Sequence, residues 1–261
     1  MGEKKNIQLS VIVITYNEEK NIEKCLASIK WADEIIVVDA YSTYVTVELA
    51  KKYTNKIYLH KFSDFATQRN YALQYATGKW ILMVDADEVL VEGAEKIIRQ
   101  LVIQKEILGY WLPRRNYING RTYLKHGYFY PDSQLKLYAN IPGLKYEGSI
   151  HAQPVISQKL TKALTYPILY HNPSHSKYNS FFSFRRFLPY IKVEGKEMAK
   201  TKKSNLNLFI EGISESIRFV WRSFIKTKGY KDGYPGLRAA LIYGMYILGI
   251  RIYALYTRFK E

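Results

Sequence analysis

Three short apolar runs constrain this chain more than any other feature. Leu9 to Thr15 reads LSVIVIT, Glu34 to Asp39 reads EIIVVD, and Trp80 to Val84 reads WILMV. Each is apolar through its middle and rich in β-branched residues, and polar or acidic residues close it or follow it. A strand wet on one face would alternate polar with apolar. A run apolar on both faces is buried on both, as inside a parallel sheet. Helical spacing fills the gaps between the runs. Asn17 to Ile29 sets Ile22, Leu26 and Ile29 on one face. Thr46 to Tyr53, Phe65 to Ala76 (with Gly78 as its stop) and Gly93 to Gln104 follow, and a short strand is expected at Lys56 to His60. This alternation predicts an α/β domain with a Rossmann-like, mostly parallel central sheet and helices on both faces.

After Gly109 the texture changes. Aromatic and basic residues crowd together, and prolines from Pro113 to Pro173 predict short strands and loops. Helical patterns return at Ser180 to Lys202, Leu206 to Lys226 and Gly236 to Phe259. The expected organisation is a catalytic domain over residues 1–174 and a basic, helical C-terminal extension over 175–261. The chain is long enough to bury a full core. Its only cysteine, Cys25, excludes an intramolecular disulfide and a cysteine-based zinc cage.

Charge is unevenly spread. Residues 1–174 hold 22 basic against 17 acidic side chains, a net +5, whereas residues 175–261 hold 17 against 6, a net +11. A basic third of this kind suits a polyanionic partner: a membrane surface, a phosphorylated acceptor or nucleic acid. A soluble, generally basic surface is the plainer alternative. Met1 to Gln8 is polar and lacks the apolar run of a signal peptide. Between Arg238 and Arg251 lie twelve uncharged residues, fewer than the roughly 20 that a spanning helix needs, so no transmembrane helix is expected.

The chemistry centres on Val84-Asp85-Ala86-Asp87-Glu88, directly after the third apolar run. Ligands of open α/β sheets sit outside the carboxyl ends of the strands, and Asp85 and Asp87 fall at such an end. Two carboxylates one residue apart suit a shared divalent cation, or a ribose on one and the metal on the other. Oxygen donors favour Mg²⁺ or Mn²⁺. A diphosphate leaving group needs such an ion, because charge builds on it as the bond to it breaks. A solvated acidic turn is the alternative reading. Other polar residues gather at the remaining strand ends: Thr15, Tyr16, Asn17 and Glu18 after the first run, and Asp39 at the close of the second. Gln68, Arg69 and Asn70 open a helix before the third run, where Arg69 suits a phosphate or simply a surface position. A nucleic-acid binder would also be basic and aromatic, yet carboxylates at three strand ends repel phosphate unless a metal intervenes.

The segments SVIVITYNEEKNIEKCLASI, EIIVVDAYST, ATQRNYAL and GKWILMVDADE together resemble the family 2 glycosyltransferases of the GT-A fold, in order and spacing over residues 9–90. The resemblance implies inverting transfer from a nucleoside diphosphate sugar, UDP-linked by expectation, with a divalent cation. It assigns nucleoside contact to Asp39, and ribose and metal contact to Asp85 and Asp87. The segments YPDSQLKLY, GSIHAQ and GYKDGYPGL resemble a narrower group, bacterial enzymes of lipopolysaccharide core and related surface glycans. That likeness implies a glycan or lipid-linked acceptor and a peripheral place on the cytoplasmic face of the membrane. It offers Asp132 as general base, or as the cap of a turn after Pro131, with Glu147 as its rival, and His151 as a metal or diphosphate ligand or a hydrogen-bonded structural histidine. An inverting transfer needs such a carboxylate to take the acceptor hydroxyl proton. Two positions depart from the patterns. Tyr44 replaces an aspartate that would cap the next helix, leaving Ser42 or Thr43 for the task. Ala152 stands where the narrower group often has glutamate. A degenerate sugar-nucleotide-binding protein is therefore a second reading.

Overall fold

The computed structural model describes residues 7–43, 45–104, 106–117, 123–148, 152–171 and 184–260. The chain divides into two compact units, one of residues 1–115 and 133–174 and the other of 116–132 and 175–261.

The first unit is built on a sheet. In chain order it holds β1 (Leu9–Thr15), α1 (Ile22–Ser28), β2 (Glu34–Asp39), α2 (Thr46–Ala50), β3 (Ile57–Leu59), α3 (Phe65–Leu73) and β4 (Trp80–Asp85). It continues with β5 (Glu88–Leu90), α4 (Ala94–Leu101), β6 (Gly109–Asn116), β7 (Asp132–Ala139), β8 (Tyr146–Glu147), β9 (Gln153–Pro154), β10 (Thr161–Ala163) and β11 (Leu169–His171). The strand order is β3-β2-β1-β4-β7-β6-β11-β5, with β10 paired to β6 and β8–β9 forming a separate ribbon. The first three apolar runs are β1, β2 and β4, and together with β3 they are parallel. Beyond β4 the sheet is mixed: β7 runs antiparallel to β4, and β11 antiparallel to β5. Only two residues separate β4 from β5, too few for the crossover a parallel neighbour requires, so β5 leaves β4 and pairs elsewhere.

Alternation along the central strands feeds two cores. Leu9, Val11, Val13, Val37, Leu82 and Val84 pack with Ile22, Cys25, Leu26 of α1 and Ile98 of α4. Ile12, Ile36, Val38, Ile81 and Met83 pack with Ala72 of α3 and with Tyr138, Tyr146 and Ala152. Both faces are thus covered, which explains why the strands carry no polar face. The four helices α1 to α4 are shorter than their spacing predicts. The segment from Asn17 begins as turns in which the Asn21 and Ile22 amides donate to the Glu18 carbonyl, and α1 proper starts at Ile22. The α2 N-terminus has no side-chain cap. Ser42 and Thr43 do not serve there, because Ser42 donates to Asp39 and Thr43 donates to Asn17.

The second unit is helical: α5 (Leu188–Ala199), α6 (Asn205–Trp221) continued by a wider turn at Arg222–Lys226, and α7 (Gly233–Lys260). Ser204 caps α6 by accepting from the Asn207 amide at 3.2 Å. The helix α7 is the hub. It meets α6 where the Ser216 hydroxyl donates to the Gly244 carbonyl at 2.8 Å, and a Cβ on Gly244 would sit 2.7 Å from Val220. It meets α5 where the Tyr246 hydroxyl donates to Glu194 at 2.6 Å, and Arg251 pairs with Glu215 of α6. Segment 123–130 joins this bundle: the Lys125 and His126 amides and the His126 ring all engage Asp232. Sequence counting stopped the apolar stretch at two arginines, yet Gly229–Lys260 is long and apolar enough to cross a membrane by length and composition, with 33% of its most apolar stretch buried. The difference arises because a single helix runs through both arginines.

Candidate active site

Register sets the site. Thr15 lies beside Asp39, and Ile14 beside Asp85, so the carboxyl ends of β1, β2 and β4 form one row. Asp39 is fully buried, and both its oxygens accept from Ser42, one from the amide at 2.7 Å and one from the hydroxyl. The Asn17 amide donates to the Ser42 hydroxyl at 2.8 Å, and the Asn17 side chain accepts from the Thr43 amide at 2.8 Å. Asn17 adopts φ 52, in the left-handed region where asparagine is among the best-tolerated residues. These bonds lock the β1 and β2 loops together. Glu18 is buried beside them, accepting from Asn21 at 2.7 Å. The Thr15 hydroxyl is buried with no partner among the described residues, while Tyr16 and Tyr41 stand exposed above it on their loops.

Beside this row lies a compact charge cluster. Asp85 receives Arg69 at 3.2 Å on one oxygen and Lys136 at 2.9 Å on the other. Lys136 also reaches Glu88 at 2.6 Å, and Glu88 takes Arg114 at 2.8 Å and the Asp85 amide at 3.0 Å. Glu88 is fully buried, and its charge is tolerated because two cations and an amide face it. Burial alone would raise the Asp85 carboxyl. Lys136, Arg69 and Arg114 outweigh it and hold that group well below the usual carboxylate range. Asp87 stands apart on the β4–β5 turn, 3.3 Å from the His171 ring at the end of β11. Burial would raise its pKa too, but the His171 pair lowers it, against a smaller push upward from Asp85. Both aspartates keep part of their surface open, at 27% for Asp85 and 20% for Asp87.

The residues of α3 hold the cluster. Arg69 lies between the Phe65 and Tyr146 rings and donates to the Ala152 carbonyl at 3.1 Å as well as to Asp85. Asn70 clasps the Tyr146 backbone, donating to its carbonyl at 3.0 Å and accepting from its amide at 2.7 Å. Gln68 is buried against His60. All three side chains are thus engaged with protein partners, and Arg69 acts on Asp85. Ala152 is buried in the apolar cluster around Tyr138, and only its carbonyl faces the arginine. Glu147 is exposed and paired with Lys145 at 2.7 Å. Asp132, in the helical unit, accepts from the Asn116 side chain at 2.8 Å. His151 and Tyr44 lie outside the described residues.

Four charged or titratable residues of the cluster were not singled out from sequence: Glu88, Arg114, Lys136 and His171. Glu88 adjoins the D-x-D. Lys136 interrupts an otherwise apolar stretch, LKLY, a signal that a buried charge can leave. Among the described residues no group of three or more metal-ligating side chains converges; Asp87 with His171 is a carboxylate–imidazole pair at the strand ends.

Known proteins resemble this chain. The family model described as glycosyl transferase family 2 matches residues 10–187. The glycosyltransferase SunS of Bacillus subtilis (strain 168) is 33% identical over 147 residues, covering 55% of this chain and 34% of SunS. The lipopolysaccharide core biosynthesis glycosyltransferase LpsC of Rhizobium meliloti is 30% identical over 123 residues, covering 45% of this chain and 46% of LpsC. The chain therefore matches less than half the length of either relative. Among solved structures, S. aureus TarS 1–349 in complex with UDP-GlcNAc superposes with a TM-score of 0.51 at 18% identity, over 97% of this chain and 92% of that one. The mannosyltransferase PcManGT of Pyrobaculum calidifontis, in complex with GDP-Man and Mn²⁺, gives 0.58 at 15% identity, over 98% and 89%. These structural likenesses bear on the fold, which is GT-A with a C-terminal helical part. With the family model covering most of the chain and a sheet whose carboxylates line the strand ends, this protein belongs to glycosyl transferase family 2.

Proposed function

We propose that the enzyme transfers a sugar, with inversion, from a nucleoside diphosphate sugar to a lipid-linked or lipopolysaccharide-type glycan, and that it needs Mn²⁺ or Mg²⁺. The carrying observation is the split between the two aspartates of the D-x-D. Asp85 is held by two cations and faces the strand-end row, whereas Asp87 faces an imidazole and no lysine or arginine lies within ion-pair distance of it among the described residues. That division suits Asp85 for ribose and Asp87 for metal. The donor set fits the ion: a carboxylate and the His171 nitrogen are ligands that Mn²⁺ accepts. Asp87 and His171 would hold it, and it would supply positive charge to the departing diphosphate. On the protein side, Asp39, Thr15, Tyr16, Asn17 and Glu18 would bound the nucleoside, with Arg69 fixing Asp85. Asp132 would take the proton of the acceptor hydroxyl as its oxygen attacks the anomeric carbon and the diphosphate leaves from the opposite face.

A uridine donor is favoured by the named ligand of TarS and a surface-glycan acceptor by the name of LpsC. The basic C-terminal third supports a peripheral position on the cytoplasmic face of the membrane, where Arg185, Arg186, Lys192, Lys196, Lys200, Lys202 and Lys203 cluster. The test is a thermal-shift screen of UDP-, GDP- and ADP-sugars with and without Mn²⁺. A donor that binds only the folded state must raise the melting temperature. Stabilisation should need a UDP-sugar with metal and should disappear, along with transfer, in Asp87→Ala. Full transfer in the presence of EDTA would refute the metal requirement. For the base, Asp132→Asn should lower turnover by roughly 10²-fold with donor affinity unchanged. That loss in Glu147→Gln instead would move the role to Glu147.

A further inference from the structure

One helix of the helical unit turns its apolar stripe outward. Leu206, Ile210, Ile213, Ile217 and Trp221 recur every three or four residues along α6, and all are exposed, Ile217 at 65% and Trp221 at 55%. The inward side of α6 is supplied by buried Leu208 and by Gly212, which faces Leu248 and Arg251 of α7. Near its C-terminal end the stripe opens into a groove of about 490 Å³, lined chiefly by Ile217, Val220, Trp221, Ile225, Leu241 and Met245. A contiguous exposed apolar surface of this kind marks an interaction site.

The charges around the groove say what covers it. Arg218 of α6, Arg222, Lys226, Lys228 and Lys231 of the connection, and Arg238 of α7 are all exposed. From residue 216 to 260 the only carboxylate is Asp232, and His126 holds it. A second copy of this chain would set six cations against six. A surface of anionic phospholipid offers acyl chains to the stripe and phosphates to the rim. Exposed Trp221, Tyr230 and Tyr234 are the residue types that settle at the membrane–water boundary. The helix α7 fits this arrangement as the support behind α6, since Arg251 is tied to Glu215 and Ser216 to the Gly244 carbonyl.

We infer that α6 and the groove it forms with α7 lie in the plane of an anionic bilayer and insert their apolar residues between its lipids. This rests on the membrane location proposed above, and adds the face and the mode of contact. It differs from a purely electrostatic attachment through residues 185–203.

Vesicle flotation of the full chain tests it, using phosphatidylglycerol with phosphatidylcholine against phosphatidylcholine alone. Circular dichroism checks that each variant is folded, and the substituted side chains are exposed enough to be removed without loss of core. The wild type should float with the anionic vesicles only. Ile217→Ser/Ile225→Ser should weaken partition by about tenfold or more, because binding scales with the apolar area inserted. Brominated acyl chains should quench tryptophan emission, and Trp221→Phe should remove that quenching. Three outcomes overturn the assignment. Binding that survives Ile217→Ser/Ile225→Ser but is lost on neutralising the basic residues of 185–203 refutes the face and spares the membrane location. Absence of binding to any vesicle refutes both. A dimer in buffer that dissolves on Ile217→Ser/Ile225→Ser gives the stripe to a second copy. The donor screen is independent of all three.

Discussion

The two units treat charge in opposite ways. In the sheet unit, Lys136 and Glu88 are buried and Arg69 and Arg114 nearly so, and each is satisfied by a specific partner across the strand ends. In the helical unit most cations stand in water and the bundle is closed by small residues, ring packing around Tyr243, and a few polar clasps such as Tyr246 with Glu194. Buried ion networks stabilise little compared with apolar packing, but they fix positions closely and are costly to break. The first unit therefore fixes Asp85 and Glu88 in place, whereas the second carries its cations and the apolar stripe of α6 on its outside.

Removing one member of the buried network gives the largest expected effect. Lys136→Met is close to isosteric along the chain but, among the described residues, leaves Glu88 paired with Arg114 and Asp85 with Arg69. Deleting one partner of a buried ion pair costs about 3–5 kcal/mol, so urea unfolding should show a loss in that range. A loss under about 1 kcal/mol, the scale of an exposed pair, would mean that the cluster is solvated and that the contrast between the units is false.

The matching change in the helical unit is steric. Gly244→Val places carbon where Val220 already lies 2.7 Å from a Cβ, at the crossing of α6 and α7. Overpacking of this kind costs about 1–3 kcal/mol. The thermal midpoint should fall while UDP-sugar stabilisation by the sheet unit persists. If donor binding vanished as well, the two units would be one cooperative body in function.

The same contrast explains what could be read from the sequence. The runs LSVIVIT and EIIVVD are strands to the residue, because burial on both faces leaves a continuous apolar signature with polar ends. Asp85 and Asp87 were legible as local neighbours after such a run. Lys136 was not, because its partners are 48 and 51 residues away in sequence and nothing local announces them. His171 opposite Asp87 is hidden for the same reason. The three-residue strand β5 is too short to show a period. Ser42 shows a different limit: a serine before a helix predicts a cap, but the nearer carboxylate of Asp39 took its hydroxyl. In α6 the spacing was clear, yet apolar residues occupy so much of its circumference that periodicity alone could not say which side faces water.

The smallest expected effect separates buried carboxylates by their pH dependence, away from the site. Glu34 opens β2 at the opposite end of the strand from Asp39, and its side chain is only 1% exposed. It accepts from the Thr77 amide and the Thr77 hydroxyl, both at 2.9 Å, from the Ser10 hydroxyl, and from Lys56. Burial pushes its carboxyl up, but Lys56, Ser10 and Thr77 together outweigh that and leave the pKa below the ordinary glutamate value. The sign follows from linkage. A depressed pKa in the folded state means that the contribution to stability is fully present above the unfolded value, about 4.3, and is lost as pH falls through the folded one. Wild-type stability should therefore drop on the acid side of about pH 4.3. Glu34→Gln should be less stable at neutral pH, where it lacks the ionised acceptor, and should show a flatter slope in that acid window. Other carboxylates titrate there too, so the measurement is the difference between the two stability curves, with the Glu34 carboxyl carbon followed by NMR. Parallel curves, or a Glu34 resonance titrating at or above the ordinary glutamate value, would show that burial outweighs the hydrogen bonds at this position.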